Sequence, residues 1–393
     1  MKFCLVFGLS LWLLSGCMSP LALNQAVMAY DETATDILSR QLLLNIARAR
    51  QRLPMHFTGI SNIAATFNFQ FNAGATPAMT GNLGSIITPV FGGSMAENPT
   101  ISIVPIEGEE FTQRFLTPFE ADRIVLLLRQ GYDVDMLLRL VASELRLDEG
   151  AAEMTYRNRP SINSEYPIFR RTVLHLSTIQ DRNALFVEPI ILHRRWSMPK
   201  DIVTQHWLEH SPEEASTYSA LLSRSGQDYQ LTEQLLGRVI LTNYDPSTLD
   251  ETERHMLNEW ARSGGHDDID VDIRAGYPGG EFPIRGRFRL RSFHSLLNFI
   301  GRDGAGENEY PVERDSRSPD VSENPVHTLE VVEDAPGGTR GELSVSLNGH
   351  RYSLAENTTS YWNREAFRVV YQLFQMTVAN LPRNEAPGIT IAK

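Results

Sequence analysis

The chain has 393 residues, of which 42% are hydrophobic and 21% are charged, a composition typical of folded proteins with a sizeable core. This length predicts two or three domains. The net charge of −12 argues against nucleic acid as a partner, because nucleic-acid binding requires clustered basic residues. Lys2, Lys200 and Lys393 are the only lysines, so P-loop and Schiff-base chemistry are not expected.

The N-terminus has the layout of a bacterial lipoprotein signal. Lys2 precedes an apolar run, Phe3 to Leu14, and Ser15 and Gly16 lie directly before Cys17. The run is too short for a membrane-spanning helix, which needs about 20 residues. We therefore predict a signal peptide over residues 1–16, cleavage before Cys17 and lipidation of that cysteine. A plain signal peptide or a retained anchor is the alternative.

Lipidation at Cys17 would attach the protein to a membrane through several acyl chains, and two or more chains hold stably. In lipoproteins generally, Asp after the cysteine resembles an inner-membrane retention signal. Here Met18 follows Cys17, so we predict the outer membrane, facing the periplasm or displayed at the surface. Cys4 leaves with the signal, so the mature chain is expected to have neither a free thiol nor a disulfide.

The chain pattern predicts an α+β fold that begins with a region of helix and long hairpin over residues 17–150. A tether reaches to about Asp31, and a helix follows from Thr35 to Gln51. Alternating residues at 65–72 and 100–105 predict two strands around a glycine-rich stretch. This 65–104 hairpin could contact lipid, since its strands resemble those of membrane barrels, or it could pack on the protein core.

Two helices are predicted next. Thr117 to Glu120 reads as a capping box that opens a helix ending at Gly131. Asp133 then begins a second helix, whose apolar spacing continues to Leu145.

Three further regions complete the predicted organisation: a mixed α+β region at 151–300, an acidic linker at 301–325 and a C-terminal unit of three strands and a helix at 326–393. In the mixed region we expect helices at 166–179, 211–224, 248–263 and 292–300, and strands at 184–192, 239–242 and 268–273. The linker is expected to be exposed, because it is rich in acidic residues and nearly free of apolar ones. In the last unit Asn348-Gly349 predicts a tight hairpin and Asn363 is expected to cap the helix.

Alternating carboxylates on the 268–273 strand form the first candidate site. Asp268, Asp270 and Asp272 would project from one face, and such oxygen clusters can bind hard cations. The spacing fits no EF-hand loop. We therefore expect a solvated strand face, with a cation site as the functional alternative.

Alternating arginines form the second candidate site. Arg285, Arg287, Arg289 and Arg291 would share one strand face and could bind phosphate, carboxylate or a glycan polyanion. We expect them to pair with the acidic surplus of this same protein, with an anion site as the functional alternative.

Catalytic motifs are not apparent in the chain. The HExxH and GxSxG patterns do not occur, and His175, Ser177 and Asp181 are too common a combination to indicate a triad. We predict no catalytic residues, no metal site with established spacing and no cofactor. A triad assembled from distant segments would escape this reasoning.

Several segments resemble a family of uncharacterised bacterial lipoproteins with no established activity. They are the run 41–50 before Pro54, Asn98 to Ile101, Glu107 to Phe111, and Arg114 with Leu116 to Pro118. The C-terminal hairpin and helix are also similar to the end of that family. The resemblance implies an envelope lipoprotein and carries over no catalytic residue.

Three functional hypotheses remain. The favoured one is a lipid-anchored, non-enzymatic binding or assembly component that acts with envelope proteins in the periplasm. The second is a periplasmic envelope hydrolase with a cleft built from residues 151–300. The third is an oligomeric outer-membrane pore that uses the 65–104 hairpin.

Overall fold

The chain folds into two compact units in a computed structural model that describes residues 18–77, 87–150, 152–198, 220–225, 228–302, 307–334, 343–355 and 360–378. We call residues 1–45, 55–111 and 378–393 the hairpin unit, and residues 46–54 and 112–377 the sheet unit. Helices and strands occur together, so the predicted α+β class is confirmed. Cys17 lies outside the described residues.

The hairpin unit is dominated by one long antiparallel pair. Helix α1 (Met18–Arg50) begins in this unit, and strands β1 (Phe57–Pro77) and β2 (Ile87–Ile106) pair along their whole length. The predicted hairpin is therefore confirmed, and its strands are longer than expected because most of the glycine-rich stretch is also strand. Residues 78–86 lie outside the described part.

The predicted tether before α1 is wrong, because the helix begins at Met18. Alanine, leucine, glutamine and methionine, which dominate its first turns, are strong helix formers, and Pro20 falls in the first turn, where proline is tolerated.

Two amide side chains tie α1 to the start of β1. The Asn45 amide exchanges hydrogen bonds with the backbone of His56, at 2.8 and 2.9 Å. Gln41 accepts from the backbone N–H of Thr58 at 2.9 Å and donates to its hydroxyl at 2.7 Å. Four hydrogen bonds thus fix the helix against the first strand residues.

A mixed sheet forms the centre of the sheet unit. Its strand order is β4-β3-β9-β8-β7-β5, with β6 also paired to β7, and only the β7–β8 pair is parallel. The strands are β3 (Ala142–Glu149), β4 (Ala152–Arg157), β5 (Phe186–Met198), β6 (Ala220–Ser225), β7 (Asp228–Thr242), β8 (Asp268–Ile273) and β9 (Ile284–Leu290).

Helices cover both faces of this sheet. On one face Phe169 of the helix Tyr166–Asp181 meets Phe288 of β9, with ring centroids 5.9 Å apart. On the other face Trp260 of the helix Glu251–Arg262 lies over arginines of β9. The helices of the unit, after α2 (Glu109–Leu116), are α3 (Ala121–Arg129), α4 (Val134–Val141), α5 (Tyr166–Asp181), α6 (Glu251–Arg262), α7 (Phe293–Arg302) and α8 (Ser360–Thr377).

The helix pair is confirmed only in part. Asp133 caps α4 as expected, accepting from Met136 N–H at 2.9 Å. Pro118 instead forms a β-bridge with Ser292, and Glu120 caps α3 without a side-chain hydrogen bond, so the predicted capping box is wrong. The helix predicted as far as Leu145 is also wrong, because that residue pairs with Phe288 in the sheet.

Other predicted elements have mixed outcomes. The helix expected at 166–179 is confirmed, and the 248–263 helix begins at Glu251 behind a capping box of Asp250 and Glu253. The helix expected at 211–224 lies partly outside the described residues, and its described end is strand β6.

The predicted acidic linker is exposed at some described positions, such as Asn308, Glu313 and Asp320, and buried at others. Glu309, Val312 and Ser318 are buried, so the expectation of an exposed segment is wrong for these residues. Glu309 is held by Arg139 at 2.9 Å, and this contact between distant parts of the chain explains why an acidic residue can be buried there.

The C-terminal strands and helix are confirmed. β10 (Val331–Asp334), β11 (Ser344–Leu347) and β12 (His350–Leu354) form a three-stranded sheet, and Asn348 and Gly349 both have positive φ, as a type I′ turn requires. Asn363 lies inside α8 rather than at its cap, and it bonds the backbone of Glu330 and Ala355.

Candidate functional site

The two predicted charged rows face each other in the sheet. In the β8–β9 ladder Asp268 pairs with Arg289, Asp270 with Arg287, and Asp272 with Arg285. Residues directly opposite on antiparallel strands project to the same face, with Cβ atoms about 5 Å apart. The cation-site candidates and three of the four anion-site candidates are therefore brought together on one face.

This face is buried, so the expected solvated strand face is wrong. Asp268, Asp270 and Asp272 are 5%, 0% and 4% exposed. Trp260 of α6 lies over the arginines opposite them: its indole N–H donates to Asp148 at 2.8 Å, and its ring lies 4.6 Å from the Arg285 guanidinium. The acidic residues alternate because arginines of β9 lie opposite them on the same face, under helix α6. The alternation does not mark a face in contact with water.

The outer aspartates of the row make short hydrogen bonds. Asp272 accepts from the Tyr244 hydroxyl at 2.6 Å and from Arg274 Nε at 2.7 Å. Asp268 accepts from the backbone N–H of Gly265 at 2.7 Å. Burial raises the pKa of Tyr244 well above its usual range, so its hydroxyl stays protonated as a donor.

Asp270, at the centre of the row, is held differently. Its carboxylate lies 3.7 Å from Arg287 Nε and 3.9 Å from Arg238 Nε, and neither oxygen forms a hydrogen bond within the described part of the chain. Burial raises the pKa of Asp270 to about 7, against the attraction of both arginines. Asp270 is thus a buried acid that titrates near neutral pH.

Three arginines of the row therefore pair with acidic residues of this same chain. Arg289 pairs with Asp267 at 3.3 Å, and Arg285 with Asp148 at 3.9 Å. No group of three or more His, Cys, Asp or Glu side chains suited to a metal ion occurs among the residues that the structure describes.

Arg291 departs from the row because β9 ends at Leu290. Its backbone N–H donates to Val141 and its Nη2 donates to the carbonyl of Ala142. The guanidinium stacks 4.1 Å from the ring centroid of Phe299 in α7. The fourth candidate of the anion row is thus placed in a different environment from the other three.

A cavity of about 350 Å³ lies beside Arg291 and Phe299 in the sheet unit. Four arginines line it against two glutamates, so it is basic in an acidic protein. The lining residues are Ser143, Arg157, Asn158, Arg159, Pro160, Arg291, His294, Ser295, Asn298, Phe299, Arg302, Glu307 and Glu309. We call it the Arg291 cavity.

The charge of Arg291 is not matched by an ion pair within the described residues. The side chain is 6% exposed and its Nε has no hydrogen-bond partner there. Burial lowers the pKa of Arg291 to about 9, partly countered by the more distant Glu309 and reinforced by repulsion from Arg302. A buried guanidinium in this state can stabilise an incoming anion.

A second, larger cleft of about 600 Å³ has the opposite character. Its acidic lining residues are Asp133, Asp181, Glu323 and Glu365, with Arg368 as the basic one. Burial, together with the nearby charge of Asp135, raises the pKa of Asp133 to about 6. Most of its lining comes from outside residues 151–300, where the hydrolase hypothesis had placed a cleft.

His175 has a partner that sequence reasoning missed. Its Nδ1 lies 2.7 Å from the Ser318 hydroxyl, and its Nε2 lies 2.8 Å from the Gly279 carbonyl. Because a carbonyl only accepts, the proton resides on Nε2 and Ser318 donates to Nδ1. Both side chains are buried, and His175 bonds neither Ser177 nor Asp181, so this arrangement is a packing contact rather than an exposed nucleophile.

Sequence reasoning found Arg291 through its alternate spacing, whereas Asn158 and Arg302 carried no recognisable signal.

Within the described ranges no helix is both long and apolar enough to cross a membrane. Comparison with protein-family models, characterised proteins and solved structures finds no match to this chain.

Proposed function

We propose that this protein is a lipid-anchored lipoprotein of the cell envelope that acts as a non-enzymatic binding or assembly component, held at the outer membrane and facing the periplasm or the cell surface. The observation that carries the anchor is Cys17, placed directly after an apolar run and two small residues. The basic Arg291 cavity supports a binding role, because it presents an unmatched charge to a ligand.

Membrane attachment favours such a binding or assembly role. Anchoring restricts the protein to a surface, which raises its local concentration beside other envelope components without requiring high affinity. The acidic surface and the scarcity of lysine fit protein or small-molecule partners rather than nucleic acid.

Substitution of the anchor residue tests this proposal. Cys17→Ala should abolish incorporation of labelled palmitate and move the protein from the membrane fraction to the soluble periplasmic fraction. Cys4→Ala is the matched control, since it removes a cysteine from the predicted signal and should leave both readouts unchanged. If the Cys17→Ala protein stays in the membrane fraction, another segment supplies the attachment.

An envelope hydrolase is a second candidate, favoured by the acidic cleft. At neutral pH an acid with a pKa of about 6 is close to the value that general acid–base catalysis requires. Asp133 would be that group, with Asp181 as the neighbouring carboxylate. Assay of purified protein on peptidoglycan fragments and ester substrates should then show turnover that Asp133→Asn removes and that Asp320→Asn, at an exposed position, does not.

The length of the hairpin favours a third candidate, a pore component. Strands β1 and β2 have 21 and 20 residues, whereas about 10 residues suffice for one strand to cross a bilayer. The expected observation is a detergent-resistant oligomer that disappears when residues 65–104 are deleted. A strictly monomeric full-length protein would remove this candidate.

A further inference from the structure

We propose that the Arg291 cavity binds a small oxyanion that carries at least one hydroxyl group, the chemistry of hydrogen phosphate and of singly ionised phosphate monoesters. The inference rests on the proposed binding role and names its ligand class. Four observations on the cavity carry it.

The first observation is the unmatched buried charge. Arg291 is 6% exposed, and among the described residues no carboxylate oxygen lies within 4 Å of its guanidinium. Its known partners are the Ala142 carbonyl and the face of Phe299. Burying a charge without a counter-charge is costly, and a bound anion would remove that cost.

The second observation is that the two carboxylates of the cavity are already engaged. Glu307 receives two hydrogen bonds from Arg159, at 3.2 and 2.9 Å. Glu309 accepts from Arg139 at 2.9 Å and from the backbone N–H and hydroxyl of Thr328. Neither carboxylate therefore forms an ion pair with Arg291, although the charge of Glu309 acts on it from a distance.

The third observation is a second unpaired arginine. Arg302, at the end of α7, lines the same cavity and has no ion pair within the described ranges. It lowers the pKa of Arg291 by like-charge repulsion, so the two guanidinium groups are close enough to interact. Two arginines that line one cavity, neither of them in an ion pair with a described residue, provide the donors with which proteins bind phosphate.

The fourth observation selects the kind of anion. Asn158 donates from Nδ2 to the carbonyls of Arg139 and Ala142, both at 3.0 Å, and its Oδ1 is a buried acceptor with no hydrogen-bond partner among the described residues. Because Arg291 donates to the same Ala142 carbonyl, the amide and the guanidinium lie side by side. A ligand that satisfies both must accept from the arginine and donate to the asparagine.

This requirement separates phosphate from sulfate. Near pH 6.5 phosphate keeps at least one hydroxyl that can donate to Asn158 Oδ1, whereas sulfate has only acceptor oxygens. An acceptor facing an acceptor in a buried site loses a hydrogen bond and adds repulsion. The volume of about 350 Å³ suits phosphate with a small organic group rather than a polymer.

Calorimetric titration of the full-length lipidated protein in detergent tests the proposal, with sodium phosphate and sodium sulfate at pH 6.5 and matched ionic strength. Phosphate should bind about tenfold or more tightly than sulfate. Arg291→Met should abolish the binding. Arg302→Gln, a change on an exposed side chain that leaves the fold intact, should weaken it by about tenfold.

Arg289→Gln is the matched control, since Arg289 belongs to the same sequence row but is paired with Asp267. It should bind phosphate as the unchanged protein does. Equal affinity for phosphate and sulfate, or phosphate binding that survives both Arg291→Met and Arg302→Gln, would overturn the proposal.

Two further ligands distinguish the sources of the phosphate group. Glycerol 3-phosphate represents a soluble monoester, and nanodiscs that contain phosphatidic acid represent a lipid headgroup. Binding of either that Arg302→Gln weakens supports the assignment and identifies the source, whereas binding of inorganic phosphate without either ester supports the assignment and identifies inorganic phosphate as the ligand. Palmitate labelling at Cys17 is independent of these titrations, so failure of the ligand assignment and failure of the anchor can be told apart.

Discussion

The arginines of β9 and the arginine just beyond it belong to one alternating row, yet they have different environments. Arg285, Arg287 and Arg289 lie opposite aspartates in the adjacent strand. Arg291 follows the last strand residue and faces a cavity, with no carboxylate partner within the described residues. The same spacing thus produces internal ion pairs where the ladder continues and an available cation where it ends.

The difference shows that the function of a charged row depends on the strand opposite it. A paired arginine in a buried sheet is needed to neutralise its aspartate, whereas an unpaired one carries a free-energy cost that only a ligand can relieve. Variants that remove one arginine at a time therefore distinguish the effect of a paired arginine on stability from that of an unpaired one.

The largest effect is expected for Arg287→Met. The change leaves the Asp270 carboxylate buried with only Arg238 nearby, at 3.9 Å. Removing one partner of a buried pair costs about 3–5 kcal/mol, so the free energy of unfolding from equilibrium urea denaturation at pH 8 should fall by that order. At pH 5 the loss should be smaller, because Asp270 then carries a proton. A pH-independent loss would instead indicate that Arg287 contributes by packing.

Asp270→Asn tests the titration directly. The folded-state pKa of Asp270, about 7, lies above its usual value of 3.8, so the folded chain retains a proton that the unfolded chain loses between about pH 4 and pH 7. Stability from this group is therefore fully present below about pH 4 and is lost as pH rises to about 7. The loss is at most about 4 kcal/mol, from a shift of about three pKa units.

The expected readout is a flatter profile of unfolding free energy against pH in Asp270→Asn than in the unchanged protein. Asp133, whose pKa is raised to about 6, adds a slope of the same sign to both proteins and cancels in the comparison. Parallel profiles across pH 4–7 would show that Asp270 ionises normally.

A change of opposite sign is expected for Arg291→Met. Replacing an unpaired buried charge by an apolar side chain of similar length is often neutral or stabilising, so unfolding free energy in phosphate-free buffer should rise by about 1 kcal/mol. The lost hydrogen bond to Ala142 and the lost contact with Phe299 limit the gain. A fall of more than about 2 kcal/mol would mean that the guanidinium is a structural element of the cavity wall.

Local patterns in the sequence predicted the elements that local chemistry determines. Asn348 and Gly349 form the hairpin turn that their conformational preferences favour, and Asp133 caps its helix through a hydrogen bond three residues away. The strand at 268–273 was also predicted from its alternation. Each of these depends on residues that are neighbours in the chain.

Features that depend on distant residues were not predicted. Leu145 has helical spacing but becomes strand because β9, about 140 residues later, supplies its partner Phe288. Glu309 lies in a segment that reads as an exposed linker, and it is buried because Arg139 reaches it from α4. The Arg291 cavity joins three separate parts of the chain, so alternate spacing identified its arginine but neither Asn158 nor Arg302.

The smallest effect is expected for Arg289→Gln, which completes the comparison at the exposed edge of the row. Arg289 is 46% exposed and pairs with Asp267 at 3.3 Å, and ion pairs this accessible are screened by solvent and contribute about 0–1 kcal/mol. Unfolding free energy at pH 8 should therefore change by less than about 1 kcal/mol, and added salt should reduce the difference further. If Arg289→Gln were as destabilising as Arg287→Met, burial would not explain the different contributions of the arginines in the row. The contrast between paired and unpaired arginines would then depend on the strand register alone.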